Sequence, residues 1–365
     1  MNNRANKNVL KIKPYVPGKP IDEVKRELGL KRVVKLASNE NPYPPSPAVL
    51  KAVREAGRNL NRYPDGSCFE LRQELSRRLK VDPRQLVFGC GSDEVIVLAL
   101  RAFINPGDEV VMAVPSFLVY SLASTLAGAR CIQIPLKGLR YDMSAMKKAV
   151  TARTKIVFIG NPDNPSGQFP DKAEVDSFLR GLAQDVLVFF DEAYYEFAAA
   201  EKNYVQTLDL LRSRGNVIVA RTFSKLFGLA GLRIGYGVAS LEVAALMDRV
   251  REPFNVTSVA QAAALAALKD RVYYDRILKE LNTERSRLCA QLRSFSAQGV
   301  EVSKGCTNFI QIRTSKDSRE LSAALLKKGI IVRDMSAWGL SNYIRVTIGK
   351  PSENRLFLKA FAAAI

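Results

Sequence analysis

TFSKLFGLAGLRIGYG, residues Thr222 to Gly237, is the stretch on which the reading of the whole chain turns. It holds one lysine, Lys225, preceded by the hydroxyls of Thr222 and Ser224 and followed by the guanidinium of Arg233. A lysine amine forms a Schiff base with a carbonyl, and hydroxyls with an arginine hold a phosphate. The combination suits a cofactor that carries both groups. A basic, glycine-rich loop entering a buried strand fits the same letters, so the flanking chain has to decide.

Working outward, NVIVAR (216–221) leads into this stretch and RIGYGVA (233–239) leaves it. Further upstream come LVFG, EVVMA (109–113), CIQIP (131–135), KIVFIG (155–160) and VLVFFDEA (186–193), separated by helical patterns. Continuous apolar strands spaced by helices predict an α/β fold whose large domain has a mostly parallel sheet covered by helices on both faces. Ligands of such sheets sit beyond the carboxyl ends of the strands. Polar residues cluster there: Asn161 to Gly167 after one strand, Asp191 and Tyr194 after the next, Thr222 to Lys225 after a third, and Ser116-Phe117 after EVVMA. In GCGSDEVIVLAL, Gly91, Ser92 and Asp93 open an apolar helix, whose free amides form an anion site. Ser and Asp are also the commonest helix caps. Any one cluster is compatible with ordinary turn chemistry; their convergence on one rim is not.

Composition removes several chemistries. The 365 residues contain no histidine, which excludes Ser-His and Cys-His nucleophile pairs and histidine metal sites. The five cysteines are odd in number and never form a CxxC pair, arguing against a disulfide framework or a thiolate metal site. No apolar run is long enough to span a bilayer, and MNNRANKNVLKIKPYVPGKP lacks a signal-peptide core, so a cytoplasmic protein is expected. The net charge of +19 is spread along the chain without a dense basic block, which favours attraction of anionic substrates, or simple solubility, over nucleic acid.

Three regions are expected: an arm over 1–35, a large domain over 36–270 and a small α+β domain over 271–365. The arm alternates prolines with basic residues. LASNENPYPPSPAVLKAV then packs prolines into an irregular loop in which Asn39 and Asn41 suit a ligand or merely a turn. Tyr63, in the turn Tyr63-Pro64-Asp65-Gly66, is either a surface aromatic or a residue reaching across a subunit interface. A long charged helix, VYYDRILKELNTERSRLCAQLRSF, bridges to the small domain, whose strands are NFIQIRT, GIIVRDM and YIRVTIG. Arg345 lies in the last of these; if buried it needs an anion partner, and otherwise it faces water from an edge.

From LASNENPY through NRYPDG, GCGSDE, NPDNPSG, DEAYYEF and TFSKLFGLAGLRIGY to YIRVTIG, the order and spacing of motifs resemble the fold-type I pyridoxal-phosphate aminotransferases, in their histidinol-phosphate aminotransferase branch. The resemblance implies that Lys225 forms the Schiff base with pyridoxal 5'-phosphate and carries protons, with Asp191 on the pyridine nitrogen. Asn164 and Tyr194 would bond the ring hydroxyl, and Phe117 would stack on the ring. Gly91, Ser92, Asp93, Thr222, Ser224 and Arg233 would hold the phosphate, joined by Tyr63 of a second subunit, which implies a homodimer. Arg345 would clamp a substrate α-carboxylate with Asn39, Tyr63 and Asn164 nearby, and Arg333 with Tyr15 would receive a distal phosphate. The implied reaction is transamination of L-histidinol phosphate with 2-oxoglutarate, giving imidazole-acetol phosphate and glutamate by ping-pong chemistry.

The chain departs from the pattern at three places. NPYGP is NPYPP, with Pro44 in place of a glycine; NPNNPTG is NPDNPSG, with Asp163 and Ser166; and Phe117 stands where tyrosine is also common. Pro44 stiffens a loop beside the substrate, so it bears on substrate identity more than on reaction type. An aromatic or broad-specificity aminotransferase, or a phosphothreonine decarboxylase with the same lysine and phosphate pocket, are the other readings this resemblance leaves open.

Overall fold

The computed structural model describes residues 4–12, 14 and 18–365. Its strands are β1 (Val34–Leu36), β2 (Leu86–Gly89), β3 (Glu109–Val114), β4 (Arg130–Pro135), β5 (Thr154–Gly160) and β6 (Leu187–Asp191), followed by β7 (Val217–Thr222), β8 (Gly235–Val238), β9 (Glu301–Ser303), β10 (Phe309–Arg313), β11 (Ile330–Asp334) and β12 (Tyr343–Thr347). Seven of them build the large sheet in the order β2-β8-β7-β6-β5-β3-β4. The apolar runs are continuous because both faces are covered, and successive residues alternate between two cores. Val111, Val157, Val188 and Val219 face one core, under the helices Lys172–Leu179 and Ser258–Lys269. Val110, Ile156, Phe189 and Ile218 face the other, under Ser92–Phe103 and Leu241–Arg249.

One strand runs against the rest. β8 pairs antiparallel with both β7 and β2. A parallel return needs a crossover, usually a helix, laid across the sheet. Between β7 and β8 the chain makes only the 3-10 turn Ala230–Leu232, so it doubles back instead.

The second sheet has the order β1-β11-β12-β10-β9, with β1 parallel to β11 and the other pairs antiparallel. β1 straddles residue 35, where the arm was expected to end, and pairs Val34 with Ile330 and Leu36 with Val332. The bridging helix is observed as Arg271–Leu292, burying Tyr274, Ile277, Leu281, Leu288 and Leu292 at helical spacing. Phe309, Ile344, Val346 and Phe357 of the second unit join the same core as Val188 and Val219 of the large sheet, so the two units share one apolar interior. Among the described residues no helix is long and apolar enough to cross a membrane.

β8 approaches the start of the Ser92 helix very closely. A Cβ on Gly235 would lie 2.5 Å from the Ser92 amide nitrogen and 2.9 Å from the Arg221 carbonyl oxygen, both backbone atoms that cannot step aside. Gly235→Ala is therefore expected to cost about 1–3 kcal/mol of stability, read as a lower urea midpoint at unchanged m value.

Candidate active site

The carboxyl ends of the large-sheet strands open onto one cavity of about 370 Å³. Lys225, Asp191, Tyr194, Asn164, Phe117, Ser92, Asp93, Thr222, Ser224 and Arg233 all line it. Most come from the last residue of a strand, the turn just past it or the helix that follows; Arg233 comes from the turn that leads into β8. Lys225 is half-buried in the cavity wall, its Nζ 5.5 Å from the Tyr194 ring centroid.

One end is a cradle of donors. Gly91 caps the Ser92–Phe103 helix at φ 83°, a left-handed conformation, and a Cβ there would lie 2.6 Å from Arg233 Nη2. The helix amides and the Ser92 hydroxyl thus meet the Arg233 guanidinium across a gap only glycine leaves open. Thr222 Oγ1 lies 3.0 Å from Ser224 Oγ and accepts from the Ser224 amide at 3.1 Å. Arg233 Nη1 donates to the Ala230 carbonyl at 3.2 Å and lies 3.5 Å from Ser224 Oγ, while Nη2 pairs with Asp93 at 3.2 Å. Hydroxyls, free amides and a guanidinium around one point form the donor set of a phosphate site.

The opposite end is anionic. Asp191, 6% exposed, accepts from the Tyr120 hydroxyl at 2.7 Å and from the Ala193 amide at 3.1 Å. Burial raises its pKa from 3.8 to about 6, and the bonds from Tyr120 and Ala193 hold back part of the rise, against the pull of Asp93 and Asp163. A carboxylate desolvated in this way stabilises a cationic ring nitrogen. Cradle, lysine and carboxylate together fit a phosphorylated heterocyclic aldehyde such as pyridoxal 5'-phosphate.

Tyr120 escaped the sequence reading because it looks like one more apolar position of the helix Leu118–Leu126; its buried hydroxyl, which needs a partner, was the available signal. Its ring stacks on Phe158 at 4.7 Å and meets Phe117 edge-on at 5.6 Å. Asp163, the departure from the usual asparagine, is also buried. It accepts from the hydroxyls of Ser116 and Tyr141 and from the Ser166 amide, tying the loop after β5 to the segment that carries Phe117.

Directly beneath the rim, on the side away from the cavity, Glu192 and Arg221 form a two-bonded ion pair with Nε and Nη2 at 2.8 and 2.7 Å from Oε2. The other carboxylate oxygen, Oε1, accepts from Thr207, Tyr204 and Asn161 at 2.7, 3.0 and 3.2 Å. The guanidinium carbon sits 3.4 Å from the Tyr195 ring centroid.

The remaining expected residues stand behind or outside the cavity wall. Asn39, buried at φ 55°, donates to the Tyr194 hydroxyl at 2.8 Å, which leaves the tyrosine proton free to point at a ligand. Arg345 is buried, so it does not face water; it donates to Asn164 Oδ1 and to the Ala37 carbonyl and lies over the Phe309 ring. Arg333 stands directly opposite Arg345 in the β11–β12 pair, which puts both side chains on one face of the sheet. Neither guanidinium is part of the cavity lining. Tyr63 is 83% exposed and stacks on Phe254 at 4.7 Å, on the outer surface of the chain. Tyr15 lies outside the described residues.

The family model for aminotransferase class I and II matches residues 31–361. The chain is 45% identical over 359 residues to the histidinol-phosphate aminotransferase of Moorella thermoacetica, covering 98% of this chain and 92% of that one. It is 44% identical over 349 residues to the histidinol-phosphate aminotransferase of Caldicellulosiruptor saccharolyticus, covering 96% of each. Among solved structures, the histidinol-phosphate aminotransferase of Sinorhizobium meliloti in complex with pyridoxal-5'-phosphate matches with a TM-score of 0.89 at 28% identity, over 99% of this chain and 97% of the other.

The raised pKa of Asp191 has a measurable sign. The folded protein retains a proton on this carboxyl up to about pH 6 that the unfolded chain releases near 3.8, so stability falls as pH rises through that interval. In cofactor-free protein, Asp191→Asn is expected to gain on wild type by about 3 kcal/mol as pH rises from about 4 to about 7, on top of a pH-independent loss because its single amide oxygen serves only one of Tyr120 and Ala193. Denaturation curves across pH check the slope; a constant difference between variant and wild type removes the charge penalty from Asp191.

Proposed function

This chain belongs to the class I and II aminotransferase family, and we propose that it transfers the amino group of L-histidinol phosphate to 2-oxoglutarate, giving imidazole-acetol phosphate and glutamate in histidine biosynthesis. The observation that carries this reading is the convergence of Lys225, Asp191 and the phosphate-type cradle on a single cavity. Bound there, pyridoxal 5'-phosphate supplies an electrophilic carbonyl and a ring that withdraws electrons from the substrate Cα.

The residues divide the work by position. With the cofactor bound, Lys225 would hold its carbonyl, and the lysine amine would be the group placed to move a proton at the substrate Cα. In a chain without histidine its amine is the base placed to do so. Asp191 keeps a proton on the ring nitrogen. Tyr194, oriented by Asn39, and Asn164 bond the ring hydroxyl, while Phe117 covers one ring face. Ser92, Thr222, Ser224, Arg233 and the amides of the helix start anchor the phosphate, and Asp93 steadies Arg233.

Histidinol phosphate has no carboxylate, so the α-carboxylate role of Arg345 applies to the acceptor half-reaction alone. In the donor half-reaction Arg345 and Arg333 share the phosphate dianion, from facing positions on adjacent strands. In the acceptor half-reaction Arg345 takes the α-carboxylate of 2-oxoglutarate or glutamate. Tyr63 is too exposed to serve its own cavity and instead completes the phosphate site of a second copy, so the working unit is a homodimer. The reaction takes place in the cytoplasm.

The decisive experiment follows the loss of cofactor absorbance in single half-reactions with histidinol phosphate, phenylalanine, tyrosine and phosphothreonine, with product analysis. Histidinol phosphate is expected to react most efficiently and without loss of carbon dioxide; faster reaction with phenylalanine, or decarboxylation of phosphothreonine, overturns the assignment. Lys225→Ala is expected to show no turnover above background. Arg333→Ala is expected to raise KM for histidinol phosphate about 10- to 100-fold and that for phenylalanine far less; an equal rise for both removes Arg333 from the phosphate site.

A further inference from the structure

Trp338 is the single tryptophan of the chain and ends the 3-10 turn Ser336–Trp338. It is 8% exposed and touches both units of the fold. Its indole N–H donates to the Ser116 carbonyl at 3.1 Å, and Ser116 immediately precedes Phe117 on the cavity wall. The Arg333 guanidinium carbon lies 4.9 Å from its ring centroid. The turn itself is fixed by Asp334, which accepts from the Ser336 amide and from the hydroxyls of Ser336 and Ser318. The indole is therefore held from both sides and is not a loose surface group.

Stacking uses the face of a guanidinium and leaves its N–H donors pointing outward in the plane. An arginine laid on an indole thus has its plane set without losing donors to the contact. Arg333 is positioned across the strands from Arg345, whose Nη1 bonds Asn164 at the cavity wall. We propose that Trp338 is a positioning residue for anion selection: held against the Ser116 carbonyl, it orients the donors of Arg333 toward the phosphate of the amino donor. The inference rests on the phosphate role given above to Arg333. A donor substrate without a phosphate does not depend on this contact, because its carboxylate goes to Arg345.

The single tryptophan makes the arrangement directly observable. In the holoenzyme, where the cofactor cradle is filled, titration with inorganic phosphate is expected to change tryptophan emission saturably, and the change is expected to vanish in Arg333→Ala. No change in wild type, or the same change in Arg333→Ala, overturns the inference. This readout stands even if another phosphorylated amine proves to be the donor, so it separates failure of the Trp338 assignment from failure of the histidinol phosphate reading.

In steady state, Trp338→Leu is expected to raise KM for histidinol phosphate about tenfold with kcat within about twofold and KM for glutamate changed less than about threefold. Trp338→Phe, which keeps an aromatic face, is expected to restore most of the loss. In an Arg333→Ala background Trp338→Leu is expected to add nothing. A tenfold penalty that persists in that background, or one shared equally by glutamate, assigns Trp338 a general structural role and overturns the proposal.

Discussion

Two charges removed from water must answer each other or unfold what encloses them, and at the centre of this protein they are Glu192 and Arg221. Removing one partner of such a pair leaves an uncompensated buried charge, so the pair holds its two strands to one relative position. Because neighbouring residues on a strand point to opposite faces, fixing Glu192 and Arg221 beneath the rim also fixes Asp191 and Thr222 above it. Asn161 and Tyr204 extend the same network to the loop after β5, whose Asp163 ties it in turn to Ser116. The cavity is thus lined by residues whose positions are set from underneath as well as by bonds among themselves.

The lining groups set the cavity's polarity. The helix start, the hydroxyl pair and Arg233 favour negative charge at one end, while Asp191 at the other is an anion held at the expense of its own solvation. A ligand with a phosphate tail and a basic ring nitrogen satisfies both groups in only one orientation, and Lys225 lines the same cavity. The second sheet carries two further cations. Arg333 lies over the Trp338 ring and Arg345 over the Phe309 ring, and Arg345 also donates to Asn164 and to the Ala37 carbonyl.

Much of this was legible in the sequence, for a physical reason. Strands buried on both faces write themselves as unbroken apolar runs, and the polar residues that follow them stand out, which is how Lys225, Asp191 and the loop after β5 were located. The antiparallel course of β8 was hidden, because a short apolar strand reads the same in either direction; only the missing crossover helix betrays it. Tyr120, Trp338 and the Glu192–Arg221 pair were invisible because their meaning lies in partners distant along the chain. Asp163 was noticed as a departure, yet only its burial against Ser116 and Tyr141 shows what the extra carboxylate does. Tyr63 is the opposite case: it stood out in its turn, and the structure places it on the surface of the chain, stacked on Phe254.

The pairing of β1 with β11 bears on how the protein comes into being. Val34 finds its partner only when Ile330 has been synthesised, and the Ala37 carbonyl that receives Arg345 waits longer still. The large sheet has all its strands by residue 238, whereas the second sheet must hold its first strand in reserve through most of translation. The nascent chain therefore carries every strand behind its cavity before Arg333 and Arg345 exist, and the segment from Val34 to Ala37 is long exposed to chaperones and to wrong strand partners.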